Sequence, residues 1–396
     1  MLRTLVQMKQ INVRSAVVFV ACFVISSVKP QWAYEDDNSK CSGSDECIPI
    51  KQCRPMLDLI QSFNGGVPYE IQQKLKEYRC GFSGLDVKVC CPSSTLQGGK
   101  GDPLPPDVSR HKNFNLLPQN CGYLDSSNRI VKGNKTGLFE FPWMALISYQ
   151  TASGAQFGCG GTILNEKYIL TAAHCISDLI LKPRRRSLLG VRVGDHDIDS
   201  PKDCETTKGI TVCAPPYQDF RIEKAVPHEQ YNPNANFNND IGLIRVDGTM
   251  NLNKENIKPV CLPVGPGRLY QFGNNKGVVT GWGATETSTR SSDLLQAHLP
   301  LISWGECSRN YKNRNFKSPI TYKHLCAGGT GNQDSCAGDS GGPLHAVVPN
   351  EDTGETKYTQ QGIVSFGPKN CGADGFPGVY TKVSYYMDWV LDNMRR

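Results

Sequence analysis

The sequence predicts a mainly all-β protein that ends in one helix and begins with a small disulfide-rich module. Beyond residue 120 the apolar runs are short and strand-like, are separated by Gly and Pro, and show no long helical periodicity until the end. Six cysteines crowd into residues 41–91, and 396 residues leave room for such a module beside a large core. The closing stretch 385–394 predicts an amphipathic helix, since its larger side chains recur at helical spacing: Tyr386, Trp389, Val390 and Met394.

The N-terminus has the layout of a secretory signal peptide. Basic residues precede an apolar run over residues 16–25, and Ser26 and Ser27 follow it. Because the run is too short to span a bilayer, we predict a signal peptide over residues 1–27 and a secreted, extracellular protein with no membrane partner. Cleavage after Ala33 is a second option, and the long charged region before the run keeps a signal anchor as an alternative.

Cysteine usage indicates an oxidising compartment. The chain has 17 cysteines, and Cys22 lies in the run that leaves with the signal peptide, so an even number remains. No set of Cys and His has zinc-finger spacing, which favours disulfides over metal. The module at residues 41–91 needs such cross-links because it is too small to bury much apolar surface, although spacing alone leaves its connectivity open.

Charge and composition mark two further segments. The formal net charge of +6 is small for the length and is spread along the chain, so we expect no nucleic-acid partner. The one basic cluster is Lys182-Pro183-Arg184-Arg185-Arg186, for which a solvated surface loop is favoured over a polyanion contact or a cleavage-prone loop. Residues 92–120 are rich in Pro, Gly and Ser and predict an extended linker.

Three motifs bring together the residue types of nucleophilic catalysis. Ser340 lies in Gly-Asp-Ser-Gly-Gly-Pro, His174 in Thr-Ala-Ala-His-Cys, and Asp240 in Asn-Asp-Ile-Gly-Leu-Ile. A serine hydroxyl is a weak nucleophile until an imidazole accepts its proton and a carboxylate holds that imidazole. Small residues around the serine let backbone amides reach a developing oxyanion. Together the motifs predict serine-dependent acyl transfer.

With these motifs, residues 130–396 resemble a trypsin-like serine protease. The resemblance implies a double six-stranded β-barrel with the active site between the barrels. It makes His174 the general base and then the general acid, Asp240 its orienting carboxylate, and Ser340 the nucleophile. The amides of Gly338 and Ser340 would form the oxyanion hole, and the chemistry requires no cofactor.

The resemblance also places a specificity pocket around Asp334. A buried carboxylate there gains most from a cation on the substrate, so cleavage after Arg or Lys is expected, with Ser335 adding a hydrogen bond. Gly367 and Gly378 would keep the pocket walls open to a long side chain. Pro377 replaces the aromatic residue of sodium-activated relatives, so we expect no dependence on sodium.

The peptide Arg129-Ile130 has the sequence of an activation site. The resemblance implies that cleavage there frees the Ile130 amine, which inserts and pairs with Asp339, a carboxylate otherwise without a counter-charge. Since Arg precedes the cut, the activating protease is expected to be trypsin-like itself. The alternative is an ordinary exposed Arg-Ile peptide.

The cysteine-rich module resembles the clip domain of arthropod proteases. This resemblance implies a docking module for cascade partners, with a passive solubilising spacer as the alternative. One common trypsin disulfide is missing at both ends, which are Gly277 and Ala346. The two resemblances together imply eight disulfides: Cys41–Cys90, Cys47–Cys80, Cys53–Cys91, Cys121–Cys261, Cys159–Cys175, Cys204–Cys213, Cys307–Cys326 and Cys336–Cys371. Of these, Cys204–Cys213 is similar to a loop cross-link of Easter-like and prophenoloxidase-activating proteases.

Two modifications are further hypotheses. Hard oxygen ligands at high density suit calcium, and one short loop offers Asp195, Asp197, Ser200 and Asp203. It matches the calcium loop of trypsins only in part, so an acidic solvated loop is the equal alternative. Asn134-Lys135-Thr136 is an N-glycosylation sequon at Asn134.

Clip and protease together predict a clip-domain serine protease zymogen of an extracellular cascade. The resemblance implies roles in prophenoloxidase activation and melanisation or in processing a Toll ligand, with a trypsin-like activator, protein substrates, a serpin inhibitor and residence in haemolymph. A non-catalytic clip protease homologue is the rival from another class, but such proteins usually lack the serine that this chain keeps. A digestive trypsin is the second rival, and the clip module argues against it.

Overall fold

A computed structural model of the chain forms two compact units, Met1–Pro103 and Leu104–Arg396. The residues that it describes are 41, 46–53, 56–57, 60, 75–76, 78–83, 86–91, 105–123, 135–233, 237–265, 276–285, 288, 290–313, 319–329, 338–349, 356–368 and 375–396. The predicted signal peptide at 1–27 therefore lies outside the described residues.

The N-terminal unit is a three-stranded antiparallel sheet, with β1 (Glu46–Pro49), β2 (Arg79–Ser83) and β3 (Asp86–Cys91) in the order β1-β3-β2. A 3-10 turn over Ile50–Gln52 follows β1. The apolar core is small, so the disulfides Cys41–Cys90, Cys47–Cys80 and Cys53–Cys91 supply cross-links that such a unit needs. These are the pairs that the resemblance implied.

The first half of the C-terminal unit is a closed six-stranded barrel in the order β10-β11-β6-β5-β4-β7. Two short helices, α1 (Ala173–Ile176) and α2 (Asp178–Leu181), lie between β6 and β7, and a small hairpin of β8 (Cys204–Thr207) and β9 (Ile210–Cys213) lies between β7 and β10. The barrel strands are β4 (Met144–Thr151), β5 (Gly154–Ile163), β6 (Tyr168–Thr171), β7 (Ser187–Val193), β10 (Gln218–Pro227) and β11 (Gly242–Asp247).

The second half is another closed six-stranded barrel, in the order β12-β13-β14-β17-β16-β15. A helix, α3 (Trp304–Asn313), connects β13 to β14, and the chain ends in a 3-10 turn over Val383–Tyr386 and α4 (Met387–Asn393). The strands are β12 (Lys276–Gly281), β13 (Leu295–Ile302), β14 (His324–Ala327), β15 (Pro343–Pro349), β16 (Thr356–Phe366) and β17 (Gly378–Lys382). The predicted all-β double barrel with a C-terminal helix is confirmed.

Each barrel closes around β-branched and other apolar side chains, and closure leaves no open sheet edge to pair with another chain. The first barrel buries Ile147, Ile169 and Leu243 completely, and the second does the same for Leu299 and Leu344. Strand β16 also buries polar residues where the barrels meet: Thr162 of β5 donates a hydrogen bond of 2.6 Å to Gln360. A buried polar group at this joint is therefore paired, as burial requires.

A buried aromatic cluster joins the two barrels beside that contact. The Trp143 indole donates to His345 Nε2 at 2.8 Å, and His345 Nδ1 lies 3.1 Å from the Val278 carbonyl, so the imidazole is neutral with its proton on Nδ1. Burial lowers the pKa of His345 to about 3. Phe141 and Tyr358 pack around the pair. His345 follows the serine motif in sequence, yet its role here is to hold the barrels together.

The C-terminal helix packs as its periodicity predicts. Tyr386, Trp389, Val390 and Met394 are all buried against the first core. His228 stacks on Trp389 with ring centroids 5.0 Å apart, which fixes the helix beside the strand that leads to Asp240.

Residues 105–120 correct the prediction of an extended linker. Val108 is buried in the main core, and a 3-10 turn over Phe114–Leu116 packs against it. The Asn113 amide donates to the carbonyls of Leu391 and Met394 in the C-terminal segment. The Pro and Gly content predicted an unpacked chain. The scattered apolar residues of this segment nevertheless pack against the main core, a contact that the sequence did not reveal. Residues 105–120 are part of the protease unit.

Candidate active site

The predicted catalytic histidine and aspartate both come from the first barrel. His174 lies on α1, directly after β6, and its Nδ1 is 2.8 Å from Asp240 Oδ2. The His174 backbone amide donates to the other carboxylate oxygen at 2.9 Å, so two donors hold the imidazole against the acid. Only 1% of Asp240 is exposed, and a buried carboxylate requires such partners.

The second barrel supplies two further hydrogen bonds to Asp240. Ser365 of β16 donates from its hydroxyl to Oδ2 at 2.5 Å, and Thr381 of β17 donates to the Asp240 carbonyl at 2.8 Å. Sequence reasoning found neither of these contacts. Both residues are more than a hundred residues from Asp240, at separations of 125 and 141, so no local pattern could have shown the contact.

Asp240 is aimed by the residue before it. Asn239 has a positive φ of 60°, a conformation that Asn tolerates better than most residues, and Tyr386 donates to its side-chain oxygen at 3.1 Å. The turn therefore depends on the C-terminal segment as well as on the barrel.

Ser340 enters the site from the second barrel, just before β15. Its carbonyl accepts a hydrogen bond of 2.8 Å from the Gly160 amide of β5, and the sulfur of Cys175 lies 3.6 Å from the same oxygen. Since Cys175 follows His174 in the chain, these contacts bring the serine loop to the histidine helix. The disulfide Cys159–Cys175 joins β5 to that helix.

Glycines shape the serine loop because no other residue fits. Gly341 has φ of 78°, and a Cβ there would lie 2.2 Å from the Thr171 hydroxyl and 2.6 Å from the Gly160 carbonyl. Gly338 has φ of 107°, and its Cβ would meet Gly283 Cα at 2.9 Å. The loop thus packs backbone against backbone.

The amides near Ser340 divide into two groups. Gly341 donates to the Val364 carbonyl and Gly342 to the Asp339 carbonyl. The amides of Gly338 and Ser340 donate to no described residue. Unpaired donors beside a nucleophile are the arrangement that stabilises an oxyanion.

Asp339 lies in a pocket of glycine backbone. Its Oδ1 accepts a hydrogen bond of 2.8 Å from the Gly283 amide, and a Cβ on Gly281 or Gly283 would fall within 2.6 Å of its carboxylate oxygens. Its expected partner Ile130, the preceding Arg129 and the sequon residue Asn134 all lie outside the described part of the chain.

The specificity pocket is described only at its walls. Gly367 and Gly378 face each other, since a Cβ on Gly367 would lie 3.7 Å from Gly378 Cα. Side chains there would narrow the space between the walls. Asp334, Ser335 and the pair Cys336–Cys371 fall among residues that the structure does not describe.

The described disulfides of the C-terminal unit also have the pairs that the resemblance implied: Cys121–Cys261, Cys159–Cys175, Cys204–Cys213 and Cys307–Cys326. Among the described residues, Cys159, His174 and Cys175 also lie close enough together to suggest a metal site, as do Cys41, Cys80 and Cys90. Both groups consist largely of disulfide sulfurs, which have no thiolate to offer a metal.

The acidic loop does not gather its carboxylates around one point. Asp195 is buried and pairs with Arg192 at 3.2 Å, and burial raises its pKa to about 6. Asp203 accepts hydrogen bonds from the backbone amides of His196 and Asp197, and the Ser200 hydroxyl donates to the Lys202 carbonyl. The Asp203 oxygens, the Ser200 hydroxyl and Asp195 Oδ2 have partners within the protein, whereas the buried Asp195 Oδ1 has no hydrogen-bond partner among the described residues. Calcium binding stays a prediction.

In the described part of the chain, no helix has the length and apolar character needed to cross a membrane.

Comparisons with known proteins agree with this geometry. The family model "Trypsin" matches residues 130–390, and "Regulatory CLIP domain of proteinases" matches residues 42–91. Melanization protease 1 of Drosophila melanogaster is 36% identical over 376 residues, covering 89% of this chain and 91% of that protein. Phenoloxidase-activating factor 1 of Holotrichia diomphalia is 35% identical, covering 93% and 95%. The crystal structure of Drosophila Grass, a clip serine protease of the Toll pathway, superimposes with a TM-score of 0.60 at 32% identity, covering 88% of this chain and 94% of that one.

Fold and site define a two-barrel serine endopeptidase. The chain belongs to the clip-domain branch of the trypsin-like serine proteases, related to proteases of melanisation and Toll cascades.

Proposed function

We propose that the chain is a secreted zymogen that cuts protein substrates after Arg or Lys once it has itself been cut at Arg129–Ile130. The observation that carries this proposal is the setting of Asp339. Its carboxylate lies beside Gly281 and Gly283, next to the nucleophile, at a position where a newly freed Ile130 amine would form an ion pair with it. Pairing there would order the loop that presents Ser340 and its amides.

Peptide hydrolysis then follows from the geometry of the site. The Ser340 Oγ attacks the scissile carbonyl carbon while His174 Nε2 takes the hydroxyl proton, and Asp240 holds the Nδ1 proton and stabilises the imidazolium. The amides of Gly338 and Ser340 bind the oxyanion. His174 next gives its proton to the leaving amine, which departs as the carbonyl re-forms on the acyl-enzyme. Water then attacks the acyl-enzyme while His174 takes its proton, and His174 returns that proton to the Ser340 Oγ as the acid product leaves.

Substrate choice rests on the pocket. Asp334 at its base pairs with an Arg or Lys side chain, Ser335 adds a hydrogen bond, and Gly367 and Gly378 leave room between the walls. Because Arg129 precedes the activation cut at 129–130, the expected activator is itself a protease that cuts after Arg, which is trypsin-like.

The relatives support an extracellular cascade. Two carry melanization or phenoloxidase activation in their names, and Grass is described as a protease of the Toll pathway. We assign this chain to such a cascade in haemolymph, with an upstream trypsin-like protease, a downstream protein substrate and a serpin inhibitor. The clip unit serves as the docking module for these partners.

The zymogen proposal is tested by comparing the intact chain with Arg129→Ala before and after limited trypsin treatment. An arginyl amide reports activity, and N-terminal sequencing verifies a new start at Ile130. Before treatment, both chains should be inactive. After trypsin treatment, the wild type should be active, and the variant should stay inactive because it cannot be cut at 129–130. High activity of the uncut wild type would contradict the proposal.

A further inference from the structure

The basic turn that follows α2, residues 182–186, is exposed and only partly neutralised. Lys182 pairs with Asp178 at 2.7 Å, but both side chains are about three-quarters exposed, at 75% and 72%. None of Arg184, Arg185 and Arg186 forms an ion pair with a described carboxylate, and all are exposed. Hence three full positive charges face solvent in succession.

The turn has a defined backbone. Arg186 donates its amide to the Leu181 carbonyl and Arg185 to the Lys182 carbonyl, the two hydrogen bonds that close a helix in a Schellman motif. Arg185 adopts the left-handed conformation of that motif, with φ of 53°, where Gly is the usual residue. An arginine kept at a strained position suggests that its charge is useful, because backbone strain collects at functional sites.

On one side, the turn reaches the strand that contacts the nucleophile. A Cβ placed on Gly158 would lie 3.7 Å from Arg186 Nη1. Gly158 is two residues before Gly160 on β5, and the Gly160 amide bonds the Ser340 carbonyl at 2.8 Å. The Arg186 guanidinium therefore lies against β5, two residues from the contact between that strand and the serine loop.

On the other side of the turn, the charge of Arg184 acts on Tyr231, a residue that the charge of Asp240 also affects. Burial raises the pKa of the Tyr231 phenol, the Asp240 charge raises it further, and the Arg184 charge lowers it. The charges of Arg184 and Asp240 therefore act on the same buried phenol. In the chain, the turn follows α2, which itself follows the helix that carries His174 and ends at Ile176.

We propose that the basic turn at 182–186 selects protein substrates that carry Asp or Glu close to the scissile bond. Positive charge at the edge of a cleft attracts acidic segments and aligns them, and the effect is larger for specificity and association than for affinity. The inference rests on the proposed protease function, which supplies the cut after Arg. It adds a second requirement, an acidic flank, to that primary specificity.

The test uses two peptides with the same central Arg, one flanked by Asp and Glu and the other by the isosteric Asn and Gln. The full chain, cleaved at 129–130 and checked by N-terminal sequencing, is assayed for kcat/KM on both. Because exposed ion pairs are individually weak, the acidic peptide should be favoured about three- to thirtyfold. That preference should shrink as the ionic strength rises from about 0.05 to about 0.5 M, since screening shortens the reach of charge.

The triple variant R184Q/R185Q/R186Q should bring the ratio of the two rates to about one. A matched control, R221Q/K224Q/K254Q, removes the same charge from exposed positions of β10 and the loop after β11, and it should keep the wild-type ratio. Equal rates on both peptides for wild type would overturn the inference while leaving the protease function intact. Loop-dependent retention on a sulfated polysaccharide, with equal peptide rates, would overturn it in favour of glycan binding. Failure to cut either peptide would overturn the proposed function and this inference together.

Discussion

The two barrels position their catalytic groups in different ways. The first barrel holds His174 and Asp240 with side-chain hydrogen bonds, to which Ser365 and Thr381 of the second barrel contribute. The second barrel presents Ser340 on a turn of glycine backbone whose tight contacts leave no room for side chains. One half of the site is fixed by hydrogen-bond donors and the other by the absence of Cβ atoms.

This difference follows from the chemistry. A base that accepts and returns a proton must keep its orientation in both charge states, which multiple hydrogen bonds to its carboxylate partner achieve. An oxyanion needs backbone donors with no other partner, which a glycine turn provides. Substitutions that remove single hydrogen bonds to Asp240 should therefore lower the activity stepwise, whereas substitutions of the nucleophile or its pocket should lower it far more.

Outside the catalytic residues themselves, the largest effect on kcat/KM should come from the pocket. Asp334→Ser removes the counter-charge for a desolvated Arg or Lys of the substrate, a loss of roughly 3–5 kcal/mol by analogy with broken buried ion pairs. At about 1.4 kcal/mol per decade, kcat/KM should fall by roughly two to four orders of magnitude. Kinetic assays of the cleaved chain with arginyl and lysyl amides as substrates measure this loss.

Substrates with Leu or Phe before the bond are the control for that variant. They never used the charge, so they should lose much less. Equal losses on basic and apolar substrates would make Asp334 structural and remove the basis for trypsin-like specificity.

The sequence predicted the catalytic residues better than the contacts that hold them in place. Motifs around His174, Asp240 and Ser340 are local, so spacing and residue type revealed them. The contacts of Ser365 and Thr381 with Asp240 depend on how two barrels meet, and no sequence interval encodes that. The same limit explains residues 105–120, whose apolar side chains pack against the main core and whose Asn113 side chain bonds the Leu391 carbonyl across a separation of 278 residues.

Ser365 tests the Asp240 side of the comparison. Ser365→Ala removes a hydrogen bond to a buried carboxylate, and bonds to charged groups contribute about 1.5–3 kcal/mol. We expect kcat/KM to fall about ten- to hundredfold, with the fold retained in circular dichroism. Ser384→Ala is the matched control, because Ser384 is also buried but its hydroxyl has no hydrogen-bond partner among the described residues. A loss in Ser384→Ala as large as in Ser365→Ala would show that general packing, not the hydrogen bond, is responsible.

The last effect concerns stability rather than catalysis, at the joint between the barrels. The pKa of His345 is about 3 in the folded chain and near 6.5 when unfolded, because burial disfavours the cation. The unfolded state therefore binds the extra proton between these values. The contribution of His345 is complete above about pH 6.5, falls by about 1.4 kcal/mol per pH unit below it, and levels off near pH 3.

Denaturant unfolding of wild type and His345→Gln at pH 7, 5 and 4 isolates this contribution, since all other groups titrate in both proteins. The stability advantage of wild type should shrink as the pH falls. A difference that stays constant with pH would contradict the neutral, buried assignment of His345.

The central claim is that groups from both barrels act as one catalytic unit. The cleaved forms of His174→Ala, Ser340→Ala and the double variant should be compared on an arginyl amide. Members of such a unit are not additive, so each single change should cost about five to six orders of magnitude in kcat and the double variant no more than either. Losses that multiply in the double variant would show that His174 and Ser340 act independently, and would contradict the account.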